Sequence, residues 1–166
     1  YIYASGDEDL EPVVGNLLLA RNHTLAVAES CTGGLISDRI TNVPGSSNYF
    51  DRSYVTYSND AKLVDLGVPA AFIVEHGAVS REVAKAMATG VRLKSNTDIG
   101  LSTSGIAGPT GGSLEKPVGL VWIGYSDRSD TLAIQFTLGD ERRRIKERAA
   151  QAALELLRRK LLRVDL

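Results

Sequence analysis

Thr24-Leu25-Ala26-Val27-Ala28-Glu29-Ser30-Cys31-Thr32-Gly33-Gly34-Leu35 is the stretch that decides the fold. Residues 24–28 are a short apolar run, the pattern of a strand covered on both faces. Two glycines then permit a sharp turn, and Leu35 to Thr41 reads as a helix. A strand that turns directly into a helix aims the helix amides and the positive end of its dipole at one spot. Such a spot binds an anion or holds a nucleophile beside backbone donors. The plain alternative is a structural turn in which Ser30 or Thr32 only caps the helix. The stretch matches neither G-x-G-x-x-G nor G-x-x-x-x-G-K-[ST], so neither dinucleotide nor Walker-type binding is indicated.

Working outward, Leu10, Val13, Val14, Leu17 and Leu18 share one face of a helix over 9–22, with Pro12 tolerated in its first turn. Phe50 to Tyr57 reads as a strand, and Ser58 or Asn59 caps a short helix to about Leu66. Ser80 caps a longer helix with Val83, Ala86, Met87, Gly90 and Val91 on one face. Asp98 to Thr103 is a strand, followed by a glycine-rich loop from Ser104 to Ser113. Val118 to Tyr125 and Thr131 to Thr137 form a hairpin across Ser126 to Asp130, and a long helix runs from about Glu141 to Leu162. Strands alternating with helices and then a hairpin predict a layered α/β domain with a mixed sheet. Ligands in such folds sit beyond the carboxyl ends of the strands, so both glycine-rich turns are expected to open on one edge.

The 166 residues carry 19 Lys+Arg against 20 Asp+Glu, a net charge of −1, and 43% are hydrophobic. That suits one globular domain, placed at 9–166, and excludes disorder. No run approaches 18 apolar residues, so no membrane helix is expected. One cysteine cannot form an internal disulfide, and with two histidines it leaves too few soft ligands for a zinc site within one chain. The lone cysteine fits a reducing compartment, and the cytoplasm is the expectation. Asp140 to Leu166 holds nine basic residues against five acidic ones. The net charge nevertheless argues against nucleic acid as a partner. Residues 1–8, which open on Tyr1-Ile2-Tyr3, are read as a linker remnant from an N-terminal domain.

Ser30 and Cys31 compete as nucleophile. Cys31 has the lower intrinsic pKa but needs a histidine. His23 lies at the far end of the preceding strand, about 20 Å away if that strand is extended, and His76 falls in a loop, Glu75-His76-Gly77. A small buried residue packing the turn is the favoured reading of Cys31. Ser30 needs a base, and Lys62, after the next strand, can serve if burial lowers its pKa. Tyr57 is placed as a proton relay or an ordering group. The Ser104–Ser113 loop offers backbone amides to a ligand that approaches closely. Arg142, Arg143 and Arg144 start the last helix, where cations oppose the dipole and an anionic partner relieves them.

Ala28-Glu29-Ser30-Cys31-Thr32-Gly33-Gly34, Pro44-Gly45-Ser46-Ser47, Val55-Thr56-Tyr57-Ser58-Asn59, His76-Gly77-Ala78-Val79-Ser80, Ser104-Gly105-Ile106-Ala107-Gly108-Pro109 and Glu115-Lys116-Pro117-Val118-Gly119 stand in this order. In that order they resemble the CinA C-terminal domain family over about residues 10–160. Members are similar to nicotinamide-mononucleotide deamidases, standing alone or following an N-terminal domain that resembles molybdopterin-binding proteins. The resemblance implies a three-layer α/β/α sandwich. It also implies a serine amidohydrolase that converts nicotinamide mononucleotide and water to nicotinic acid mononucleotide and ammonia, without metal or cofactor. It favours Ser30 as nucleophile and Lys62 as base, with Tyr57 beside them. Cys31, Thr32, Gly33, Gly34, Ser46, Ser104, Gly105, Ala107, Gly108 and Arg142 are then expected to touch the substrate, Arg142 at its phosphate. The family tends to carry Gly-Asp-Arg and a further Arg four residues on. Gly139-Asp140-Glu141-Arg142 has one residue more, and Lys146 stands where the second arginine is expected. A homo-oligomer and an N-terminal domain in the parent chain are the expected protein partners. The alternative is a non-catalytic nucleic-acid-binding or regulatory module, which the basic last helix would serve.

Overall fold

The computed structural model describes residues 9–164; the linker assigned to 1–8 lies outside them. The elements are α1 (Leu10–Ala20), β1 (Leu25–Glu29), α2 (Leu35–Thr41), β2 (Phe50–Val55), α3 (Asn59–Leu66), α4 (Ala70–His76), α5 (Arg81–Ser95), β3 (Ile99–Gly105), β4 (Leu120–Ser126), β5 (Thr131–Thr137) and α6 (Arg142–Leu162). The sheet runs β2-β1-β3-β4-β5. β1 is parallel to β2 and β3, and the β3–β4 and β4–β5 pairs are antiparallel. The sheet is therefore mixed, as the sequence predicts.

The alternation of side chains along β1 sorts the two faces. Leu25 and Val27 join α1 and α6 in one core, with Leu10, Val14, Leu18, Ile145, Leu154 and Leu157. Ala26 and Ala28 face the other core, with Leu66, Val83, Met87 and Val91 of α3 and α5. Each large side chain so buried contributes about 1.5–3 kcal/mol, and the result is helices on both sides of one sheet. Small residues let α5 lie directly on the strands. A Cβ on Gly100 would sit 2.1 Å from Ala88 O, and one on Gly124 would sit 2.4 Å from Ala84 O. Ser102, opposite Gly124 in the register, donates to that same Ala84 O at 2.7 Å.

Most expected boundaries hold within a few residues. Ser58 Oγ accepts from Ala61 N–H and Ser80 Oγ from Val83 N–H, so both serines cap as read. Two expectations are corrected. Ala70–His76 is a helix, so His76 ends α4 rather than lying in a loop; at seven residues the helix is too short for its periodicity to show. Ser104 and Gly105 belong to β3, because pairing with β4 continues to Gly105 opposite Val121. Among the described residues no helix is long and apolar enough to cross a membrane.

Candidate active site

β1 and β3 are parallel neighbours, so their carboxyl ends meet at one edge. Ser30 N–H donates to Thr103 O at 3.0 Å, which extends the pairing one residue beyond the strand. The alternation that divides Val27 from Ala28 also divides Glu29 from Ser30. Glu29 turns towards α2, where its carboxylate accepts from Gly34 N–H, Ile36 N–H, Ser37 N–H and Ser37 Oγ–H at 2.5–3.1 Å. Ser30 turns to the other side, towards α3. A fully buried carboxylate thus occupies the start of α2 that the sequence offered to a ligand. Nothing in a strand-ending glutamate marks this role, since its reach of five to eight residues fits no standard capping box.

Lys62 comes from α3. It is 1% exposed, and its Nζ lies 2.8 Å from Thr56 O, 3.3 Å from Ser58 O and 3.2 Å from Ser30 Oγ. Burial holds its pKa below the usual lysine value, which favours the neutral amine. A neutral amine has two hydrogens and one lone pair. With the hydrogens given to the two carbonyls, the lone pair faces the Ser30 hydroxyl. That is the geometry of a base beside a nucleophile.

Cys31 is also buried, and burial pushes its thiol up to about 11. A thiol so raised is a poor nucleophile at neutral pH, and neither histidine lines the cavity. The Cys31 side chain packs into the first core and also forms part of the cavity wall.

The cavity over Ser30 has a volume of about 190 Å³ and is lined by Ser30, Cys31, Tyr57, Asn59, Lys62, Ala78, Val79, Ser104, Gly105, Ala107 and Arg142. Eight of these eleven are among the residues expected from sequence. Asn59, Ala78 and Val79 are additions: all three lie in motifs that carry the family resemblance, but nothing in the sequence assigned them to the substrate. Arg142 is anchored by Nη1 to Gly108 O at 2.7 Å and by Nη2 to Tyr57 Oη at 2.8 Å. Arg143 and Arg144 pair instead with Glu147 and Glu141 on the exposed side of α6.

The remaining expected residues behave differently. Tyr57 Oη accepts from Arg142 Nη2, which fits its reading as an ordering group, and it makes no hydrogen bond to Lys62, whose Nζ contacts Ser30 Oγ, Thr56 O and Ser58 O. Thr32 is buried, its hydroxyl 2.8 Å from that of Thr103, behind the cavity. Gly33 and Gly34 give their amides to Ser30 O and Glu29, which withdraws both from a ligand. Gly108 offers a carbonyl to Arg142. Ser46 precedes β2, and Tyr49 O just after it accepts from Leu25 N–H at the start of β1. The length of a five-residue strand, about 17 Å, separates that edge from Ser30, so Ser46 does not reach this cavity within the chain. Lys146, one turn after Arg142, brings its Nζ within 3.5 Å of where a Gly33 Cβ would lie.

A larger concavity of about 790 Å³ opens at the opposite edge, lined in part by His23, Asp98, Tyr125, Asp127, Asp130 and Lys160. Its acids are committed to protein donors: Asp98 to Thr24, Asp127 to Tyr125 and Asp130 to Lys160. No nucleophile and base are paired among its lining residues, as Ser30 and Lys62 are in the smaller cavity.

Fold and site together define an α/β/α domain with a buried serine–lysine pair at the carboxyl edge of a mixed sheet. The family described as the CinA C-terminal domain matches residues 7–161. A CinA-like protein from Syntrophus aciditrophicus is 54% identical over 162 residues, covering 96% of this chain and 38% of that protein. A CinA-like protein from Salinibacter ruber is 53% identical over 160 residues, covering 96% and 39%. The solved structure of competence/damage inducible protein CihA from Agrobacterium tumefaciens is 39% identical and superposes with a TM-score of 0.86, over 93% of this chain and 96% of that one. Competence damage-inducible protein A from Klebsiella pneumoniae is 32% identical with a TM-score of 0.89, over 92% and 95%. The chain belongs to the CinA C-terminal domain family. It spans about two fifths of the length of those curated relatives.

Proposed function

We propose that this domain is a serine amidohydrolase that converts nicotinamide mononucleotide and water to nicotinic acid mononucleotide and ammonia. The observation that carries the reading is the buried Lys62 amine 3.2 Å from Ser30 Oγ, with two carbonyls holding its hydrogens. The cavity volume of about 190 Å³ is below the roughly 300–1,000 Å³ of pockets that enclose a drug-sized ligand. The amide-bearing ring therefore enters, and the ribose and phosphate stay at the mouth beside Arg142. Guanidinium has five N–H donors; two bind Gly108 and Tyr57, and others are available to the phosphate.

Neutral Lys62 takes the Ser30 proton as Oγ attacks the carboxamide carbon. The tetrahedral oxyanion forms next to the amide of Cys31, which directly follows the nucleophile and lines the cavity. Each such donor is worth about 3–4 kcal/mol in other enzymes. Lys62 then protonates the departing nitrogen, ammonia leaves, and an acyl-enzyme remains on Ser30. Water, deprotonated by the same amine, attacks that ester, and Ser30 recovers its proton. Incubation with nicotinamide mononucleotide tests the reading, with ammonia and the acid product both measured. No release of either, together with salt-sensitive DNA binding, would favour a regulatory module instead.

A further inference from the structure

His76-Gly77-Ala78-Val79-Ser80 and Glu115-Lys116-Pro117-Val118-Gly119 have no part in the chemistry described so far. The structure joins them. Three successive carbonyls of the turn between α4 and α5 each accept a hydrogen bond from a side chain on a different element. Lys116 Nζ donates to His76 O, Ser80 Oγ to Gly77 O at 2.8 Å, and Ser104 Oγ to Ala78 O at 2.7 Å. Ser80 and Ser104 are buried and belong to the cap of α5 and to β3. Lys116 reaches in from the long loop between β3 and β4.

That reach is prepared on both sides. Ser113 N–H donates to Lys116 O at 2.8 Å, and Lys116 N–H donates to Ser113 Oγ at 3.0 Å, which closes the turn that presents the lysine. Gly77 has φ +74°, and a Cβ there would sit 3.0 Å from Lys116 Nζ. His76 O is an open carbonyl at the end of α4, where a cation is favoured by the helix dipole. α4 packs Phe72 and Ile73 against the second core but buries none of its side chains fully, so the bonds to the carbonyls of His76 and Gly77 help to fix the turn that follows it. The next two residues, Ala78 and Val79, are a wall of the Ser30 cavity.

We propose that Lys116 is a positioning residue. By tying the glycine-rich loop to the α4–α5 turn, it holds Ala78 and Val79 as the wall that aligns the substrate's amide-bearing ring on Ser30. This rests on the amidohydrolase reading. A wall that loosens weakens substrate and transition state alike, so its loss raises KM and leaves kcat in place. The experiment compares Lys116→Met, Lys116→Arg and the unaltered protein, with nicotinamide mononucleotide as substrate. Lys116→Met is expected to raise KM about tenfold with kcat within twofold, and Lys116→Arg, which keeps a donor for His76 O, to recover most of the loss. An unchanged KM, a fall confined to kcat, or an arginine no better than methionine would overturn the proposal. Hydrogen exchange at the Gly77 amide, held by Ile73 O at 2.9 Å, is read in parallel. Faster exchange in Lys116→Met with no ammonia from the unaltered protein keeps the tie and sinks the deamidase reading. Unchanged exchange sinks the tie whatever the activity.

Discussion

Lys62 Nζ and Ser30 Oγ lie 3.2 Å apart, although 32 positions separate them in sequence. Each comes from the segment that follows a parallel strand. Ser30 directly extends β1. Lys62 sits in the first turns of α3, beyond β2, and Thr56 N–H donates to Glu29 O to bind the two exits together. The lysine's surroundings decide its chemistry: its neighbours are two carbonyls and one hydroxyl, and burial without a carboxylate favours the free amine.

Ser30→Ala is expected to lower deamidation at least a thousandfold, because no other group can carry the acyl intermediate. Cys31→Ala is expected to keep kcat within a few-fold and to cost about 1 kcal/mol of stability from lost packing. Steady-state ammonia release and urea unfolding measure the two. Loss of activity in Cys31→Ala with activity retained in Ser30→Ala would reverse the assignment.

The pH dependence follows from Lys62. Its folded pKa is below the ordinary 10.5, so kcat/KM should rise with pH through an apparent pKa below that value. Stability has a definite sign as well. Between the folded and unfolded pKa values the unfolded chain binds the extra proton, so stability rises with pH across that window. Below the window both states are protonated, and the burial penalty is present in full. Lys62→Met removes the titration and the activity. The stability difference between unaltered and Lys62→Met protein should therefore shift in favour of the lysine as pH climbs towards 10.5, which thermal unfolding at several pH values will read.

Arg142→Ala is expected to raise KM for nicotinamide mononucleotide about 10–100-fold, the range of charge-assisted bonds worth about 1.5–3 kcal/mol. Arg142→Lys should recover little. A single ammonium cannot reproduce the fork that now spans Gly108 O and Tyr57 Oη. An Arg142→Ala variant with unchanged KM would remove the phosphate from this end of the cavity.

Glu29→Ala is expected to destabilise the fold by about 3 kcal/mol, since the amides of Gly34, Ile36 and Ser37 lose their acceptor. Glu29→Gln keeps one accepting oxygen and should lose roughly half as much. The urea midpoints of the two variants give the comparison. Equal stability of Glu29→Ala and the unaltered protein would mean that water replaces the carboxylate at the start of α2.

How far the sequence reaches is clearest in particular elements. α2 and β5 match their expected limits, and Ser58 and Ser80 cap the helices they were read to cap, because period and capping are interactions within a few residues. α4 escapes, since the seven residues Ala70–His76 are too few to reveal a period. Ser46 illustrates the opposite fault. Its motif stands in the right order along the chain, but order says nothing about which edge of a sheet a turn occupies.

The sequence by itself determined the unit of strand, tight turn and helix, and the position of Ser30 at its bend, because those depend on local alternation and on glycine's freedom. Tertiary structure alone decided the rest. The order β2-β1-β3 brings the ends of three parallel strands to one edge. There Lys62 loses its water beside the Ser30 hydroxyl, Arg142 lines the same cavity, and Glu29 takes helix amides that a ligand would otherwise use. Desolvation and contact across the chain are properties of neighbours in space, and one strand's residues do not carry them.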